Sequence, residues 1–314
     1  MRNTVVAILF LFLAMILAAG CDNAQTASSS PSTPAPASGI AMKAATAAAA
    51  QAASTPSAQS AQPVLASSEL VVGQERFVFG LINQQTGLPI KDVPVVGLQF
   101  FKVNEDWTAT KVSDGQAVYH SENLPAGVFV VRTNFKDAGR WGALVTIRRP
   151  GAEPYTVKVD FEVLKRGAVP VIGDAAIPSR NLTKSDVKSL GEICSAAPYD
   201  DMHDLTIADA IKSGKPTVLL FGTPGFCESL TCGPTLEVTQ GLEAKYRDKA
   251  NFIHIETPAE DPRSPKAQAP TVAEWGLKTE PWLFLIDKNG KIFERFEGGL
   301  TMEEVEPEFL KLIQ

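Results

Sequence analysis

The sequence predicts two folded parts, an all-β sandwich followed by an α/β domain, behind a leader and a long unstructured segment. Three observations predict this. Residues 22–68 are almost wholly Ala, Ser, Thr, Pro and Gln, too poor in large apolar side chains to offset the entropy of ordering. Between residues 69 and 166, short runs rich in Val, Phe and Tyr recur with turn signals between them, as in a sandwich of antiparallel strands. From 183 to 314, strand-length apolar runs alternate with segments of helical spacing, as in a sheet covered by helices.

The N-terminus reads as an export signal. Arg2 supplies a positive start, and the apolar stretch Val5–Ala19 falls short of the roughly 18 residues of a spanning helix. It ends in Leu17-Ala18-Ala19-Gly20-Cys21. Small residues before a single Cys resemble the lipobox of bacterial lipoproteins, which implies a signal over 1–20, lipidation of Cys21 and a membrane anchor. Asp22 resembles the residue that retains such proteins at the inner membrane of cells with two membranes. Residues 21–68 then read as a disordered tether, with a reach of roughly 35–40 Å if flexible. The net charge of −6 and pI near 5.3 argue against a nucleic-acid partner.

In the first folded part, 69–166, strands are expected at Arg76–Ile82, Val93–Val103, Gln116–Tyr119, Gly127–Phe135, Trp141–Ile147 and Tyr155–Leu164. Thr86-Gly87, Asp114-Gly115, Asp137-Ala138-Gly139 and Pro150-Gly151 punctuate them. No Cys lies here, so no disulfide can join two sheets. Gly127–Phe135 followed by Gly139-Arg140-Trp141 resembles the later strands of immunoglobulin-like modules, which implies architecture and no chemistry.

Residues 167–182 read as a connector. Thr183…Asp186, Thr206…Asp209, Thr271…Glu274 and Thr301…Glu304 all have the spacing of a helix-start box. The centre of the second part is Thr217–Thr235. Val218–Phe221 is a buried-strand run, Gly222, Pro224 and Gly225 break it, and Cys227 and Cys232 follow. Gly233-Pro234 opens a helix, with Pro suited to its first turn. A thiol near a helix N-terminus ionises more readily, because the free N–H groups present partial positive charge. With strands at 252–255, 282–286 and 291–296 and a closing helix from Met302, the order is β-α-β-α-β-β-α.

That order, the strand ending in Phe221, the Phe226-Cys227 pair, the helix after Cys232 and Glu280-Pro281-Trp282-Leu283-Phe284 before Asp287-Lys288-Asn289-Gly290 resemble thioredoxin over roughly residues 204–314. The resemblance implies an α/β thioredoxin-like fold, redox-active thiols and a cis Pro281 packed against them. The spacing departs from the family. Cys227-Glu228-Ser229-Leu230-Thr231-Cys232 is C-x4-C, and thiols so spaced on one helix lie about 7.5 Å apart along its axis, so a bridge needs a bulge before the helix. Cys227 is read as the attacking thiol and Cys232 as the resolving one. The alternative makes Cys232-Gly233-Pro234 the nucleophile motif.

Ile193-Cys194 and Asp201-Met202-His203 also resemble a group of bacterial envelope thioredoxin-like proteins. Cys194 and His203 are therefore auxiliary candidates, for disulfide resolution or for holding a metal with His203 or His254; an idle buried thiol is the other reading. Thr257–Pro270 reads as a Pro-rich surface insertion. The functional expectation is an extracytoplasmic, membrane-tethered thiol-disulfide oxidoreductase acting on envelope proteins that carry thiols or disulfides, with no cofactor. A copper-binding protein of the same fold and a redox-inactive binding module are the alternatives.

Overall fold

Strands in this chain form where the sequence buries alternate or successive apolar side chains, and they assemble into two sheets. The computed structural model describes residues 61–91, 95–149, 153–227, 229–257 and 269–314. The leader, Cys21, the tether up to residue 60, Glu228 and residues 258–268 of the Pro-rich insertion lie outside the described residues.

Seven strands make the first sheet: β1 (Ala61–Leu65), β2 (Gly73–Asn83), β3 (Val95–Val103), β4 (Ala109–His120), β5 (Val128–Phe135), β6 (Gly139–Ile147) and β7 (Tyr155–Val163). Their order is β1-β2-β5-β4-β3-β6-β7, and every neighbouring pair is antiparallel. Two expectations are corrected here. Strand β1 falls within the stretch read as disordered tether. It pairs Ala61–Leu65 with Phe79–Asn83, and Pro63 is tolerated because the strand has one hydrogen-bonded neighbour, as edge strands allow. The expected pair of stacked sheets is instead one continuous sheet, because β4 is long enough to serve both halves. Ala109–Val118 pairs with β3, and Val118–His120 pairs with β5. The sheet curls until its margins meet, with Val72 N donating to Leu164 O at 2.9 Å and Leu164 N to Leu70 O at 2.8 Å.

Curling places one face of every strand around a shared core. Phe77, Phe79, Phe100, Phe129, Phe135 and Trp141 are almost fully buried in it. Phe77–Phe100 and Phe135–Trp141 meet edge-on with centroids 5.3 and 5.0 Å apart, and Phe79 and Phe129 stack at 5.4 Å, arrangements ring quadrupoles allow.

The second sheet has β8 (Thr217–Phe221), β9 (Asn251–Ile255), β10 (Trp282–Ile286) and β11 (Ile292–Glu297) in the order β11-β10-β8-β9. β8 and β9 are parallel, and β10 runs antiparallel to both β8 and β11. Helix α1 (Ile207–Lys212) precedes β8, and α2 (Cys232–Tyr246), α3 (Ala269–Glu274) and α4 (Met302–Leu312) complete the expected β-α-β-α-β-β-α order from β8 onward. Every residue of β8 and β10 is buried. Val218, Leu220, Leu283 and Leu285 pack with Leu236 and Leu242 of α2 and Phe309 of α4. Leu219, Phe221, Phe284 and Ile286 face the other way, toward Ile207 of α1 and Trp275. A strand covered on both faces reads as an unbroken apolar run, which is why β8 stands out in the sequence.

The helix-start boxes divide. Thr206 caps α1, its Oγ1 accepting from Asp209 N at 3.0 Å, and Thr301 precedes α4. Thr183 instead closes a turn, donating to Asp186 from both N and Oγ1, and Thr271 lies inside α3. The segment read as a connector is also structured. Gly173 N donates to Ile292 O and Ala176 N to Gly290 O, both at 2.8 Å, so it runs beside the β10–β11 hairpin.

Ion pairs join the two sheets, which belong to one compact unit. Arg76 reaches Glu304 at 2.5 Å and donates to the carbonyls of Glu297 and Gly299 at 2.7 and 2.8 Å. Arg295 reaches Glu75 at 2.8 Å and Glu69 at 3.4 Å. Arg132 pairs with Glu294.

Candidate active site

Cys227 and Cys232 form a disulfide with their Cα atoms 6.0 Å apart. The bridge is possible because the chain leaves helical geometry between them. Leu230 takes a left-handed φ of 59°, and Leu230 N donates to Cys227 O, so the loop folds back before α2 begins at Cys232. The first turn of α2 carries no acidic side chain. Its N–H groups and partial positive charge therefore act on Cys232 with no acidic side chain of the helix's own first turn opposing them. Cys227 exposes 8 % of its surface and Cys232 1 %, so an incoming group meets Cys227 first.

Three further groups surround the bridge. Ser229 Oγ lies 3.1 Å from Cys227 Sγ and 2.8 Å from Thr231 Oγ1; a sulfur in a disulfide carries no proton, so the Ser229 hydroxyl is the donor. The Glu280–Pro281 bond is cis. Pro281 shares the floor with Gly222, where an added β-carbon would lie 3.3 Å from Pro281 Cβ and 3.7 Å from Cys232 Sγ. The Glu280 carboxylate lies within 4.8 Å of both sulfurs and accepts from Thr223 Oγ1 at 3.0 Å and from Thr257 Oγ1. A carboxylate so placed can take up a proton as a thiolate forms. Sequence reading quoted Glu280 only as a neighbour of Pro281.

The cysteine loop is tied down from behind. Gly225 N donates to Ser195 Oγ at 2.9 Å, and Ser195 donates through N and Oγ to the buried Glu256. Beside Ser195 lies a second cluster, Cys194, Asp200, His203 and His254, all buried. Cys194 Sγ donates to Asp200 Oδ2 at 3.2 Å, and His254 Nδ1 lies 2.8 Å from the same oxygen. His254 Nε2 donates to Gly222 O at 2.8 Å, so this cluster touches the residue beneath the disulfide. Burial works against charge here, yet His203 and His254, lying against it, hold the Asp200 carboxyl far below the usual carboxylate range. Burial pushes the Cys194 thiol up, but His203 and His254 beside it outweigh burial and leave the thiol below its ordinary value.

The structure thus brings Cys227, Cys232 and Pro281 together at one site and Cys194 and His203 together at another. Asp200 was not singled out in sequence, because the neighbouring Asp201 looks the same and only the fold buries one of them. Among the described residues, no helix is long and apolar enough to cross a membrane.

No family model matches the chain, and no curated protein matches it. Among solved structures, the chain is similar to one described as thiol:disulfide interchange protein DsbE from Chlorobium tepidum, at 23 % identity over 46 % of this chain and 99 % of that one, with a TM-score of 0.32. It is similar to a thioredoxin-like superfamily protein at 21 % identity, covering 35 % of this chain and 86 % of that one, with a TM-score of 0.26. It is also similar to murine CRIg at 13 % identity, covering 34 % of this chain and 99 % of that one, with a TM-score of 0.22.

Proposed function

We propose that this chain is an extracytoplasmic thiol-disulfide oxidoreductase that exchanges disulfides with envelope proteins through Cys227 and Cys232. The observation that carries the reading is the Cys227–Cys232 disulfide at the start of α2, with the more exposed sulfur outermost. In the oxidising direction a partner thiolate attacks Cys227 Sγ, and the Cys227–Cys232 bond breaks. Cys232 departs as a thiolate, stabilised by the helix N-terminus, and then takes up a proton. A second partner thiolate attacks the partner sulfur of the mixed disulfide and releases Cys227, so two electrons pass from partner to chain. The reducing direction is the same sequence reversed, and the partner's potential sets which runs.

The C-terminal part is read as thioredoxin-like on its element order, its cis Pro281 and the position of the cysteines. The N-terminal part is read as immunoglobulin-like. Its halves β1-β2-β5-β4 and β3-β6-β7 follow the two-sheet order of that fold, fused along β4. Lipidated Cys21 is the proposed membrane anchor; several acyl chains on one residue hold stably where a single chain would not.

The redox reading is tested by equilibrating the chain in glutathione buffers of graded potential and counting alkylated thiols by mass. A single two-electron transition that disappears in both Cys227→Ser and Cys232→Ser supports exchange. Thiols that stay oxidised or reduced across the whole range would leave a redox-inactive binding module. For the anchor, Cys21→Ser should move the protein from the membrane to the soluble fraction while the purified chain keeps its redox transition. Unchanged fractionation would sink the lipid anchor alone.

A further inference from the structure

We propose that Cys194, Asp200, His203 and His254 bind one divalent transition-metal ion of the zinc type, at a site separate from the Cys227–Cys232 pair. One thiol, two imidazoles and a carboxylate are the donors zinc takes, and their ligand atoms all lie within 4.8 Å of one another. The shortest approaches are 2.8 Å from His254 Nδ1 to Asp200 Oδ2, 3.2 Å from Cys194 Sγ to the same oxygen, and 3.2 Å from His203 Nε2 to Asp200 Oδ1. Bonds of 2.0–2.3 Å in a tetrahedron put neighbouring ligands roughly 3.3–3.8 Å apart. Small side-chain rotations about a central ion therefore reach the required spacing.

Three observations separate this cluster from an ordinary buried polar network. His203 Nε2 is buried and lies 3.2 Å from Asp200 Oδ1 without the geometry of a hydrogen bond to any group among the described residues, although an unmade bond at a buried nitrogen is costly. His254 donates through Nε2 to the Gly222 carbonyl, which fixes its ring with Nδ1 toward the cluster, as the outer partner of a metal-bound histidine does. The charges also close. A thiolate and a carboxylate neutralise a divalent cation with both imidazoles uncharged, the form in which a fully enclosed site costs least. The ligands come from the segment 194–203 and from β9, so the ion would clamp that segment to the sheet. It would enter as the segment docks during folding, since the mature cluster is closed to solvent. Through His254 and Gly222 it would also brace the floor beneath Cys232.

The test uses the full chain refolded with Zn²⁺ or with Co²⁺ as a spectroscopic probe, desalted with the Cys227–Cys232 disulfide intact. The expected result is one equivalent of metal per chain and, for cobalt, a thiolate-to-metal charge-transfer absorption. Both should persist in a Cys227→Ser, Cys232→Ser double variant. Cys194→Ser should abolish the absorption and weaken binding by at least about 100-fold, because it removes a directly bound ligand. His203→Gln, which removes a ligand nitrogen and keeps a polar side chain of similar reach, is the second variant and should also weaken binding. A chelator should lower the thermal midpoint of the wild-type chain and leave that of Cys194→Ser unchanged. Absence of stoichiometric metal in the wild type, equal retention by Cys194→Ser and His203→Gln, or binding that vanishes with Cys227 and Cys232 instead would each overturn the site.

Discussion

Arg76 and Glu304, 228 positions apart in the chain, meet at 2.5 Å with side chains only 4 % and 7 % exposed. Removing one member of such a pair leaves a buried charge without its counterion, which costs about 3–5 kcal/mol. Arg76→Met should therefore destabilise the chain by about that much in urea unfolding, and adding Glu304→Leu should recover most of the loss. A single variant of wild-type stability would show the pair to be idle. Burial pushes the Glu304 carboxyl up, but Arg76 outweighs it and holds the group below its ordinary 4.5. The pair's contribution is thus full above about pH 4.5 and is lost as pH falls through the lowered folded-state value.

The two thiols should separate by trapping. Cys232→Ser leaves the more exposed Cys227 as a competent attacker with nothing to resolve the mixed disulfide, so covalent adducts should accumulate in an envelope extract and run as heavy bands on non-reducing gels. Cys227→Ser should give at most a tenth as much adduct, because Cys232 is almost fully buried. The opposite ratio would make Cys232-Gly233-Pro234 the nucleophile motif.

Gly225 should be intolerant of a side chain. A β-carbon there would lie 2.8 Å from Ser195 Cβ and 2.9 Å from the Ser195 carbonyl oxygen, inside contact distance to backbone. Gly225→Ala should cost about 1–3 kcal/mol, the range for overpacking, and should raise the alkylation rate of reduced Cys227 as the loop lifts. Unchanged unfolding and alkylation together would refute the claim that Ser195 pins the cysteine loop.

Glu243 gives a pH signature on α2. Burial, and then the neighbouring Asp201 charge, push its carboxyl up to about 7. Its ionisation therefore costs the native state more than the unfolded one. The penalty is absent below about 4.5, grows as pH rises and is full above about 7. Glu243→Gln removes it, so the variant should be more stable than wild type at pH 8 and no more stable at pH 4. Denaturant midpoints at both values decide it, and an equal gain at the two would refute the assignment.

Legibility followed the physics of each element. β8 was readable because a strand buried on both faces cannot alternate, and the cysteine loop because Gly and Pro punctuate it. β1 was not, since Ala61-Gln62-Pro63-Val64-Leu65 has little strand preference of its own and acquires its structure from β2. The continuity of the first sheet depends on where β4 changes partner, which no local pattern encodes. Cys194 and His203 were visible as residue types with chemistry. Asp200, which ties them to His254, was hidden among equivalent acids, and Arg76, at a strand start, and Glu304, in a helix-start box, carried no sign of each other until the fold placed them face to face.

The reciprocal charge pairing between the two sheets bears on how such a chain can be rearranged. The first part contributes Arg76 and Arg132 toward acids of the second, and the second returns Arg295 toward Glu69 and Glu75. Each half is thus a mould of the other's charges. A recombination event that grafted an unrelated β module onto residues 183–314 would strand an arginine and two glutamates under a foreign surface. The pair can be inherited together or replaced together, and the boundary that looks in sequence like a seam between interchangeable modules does not come apart.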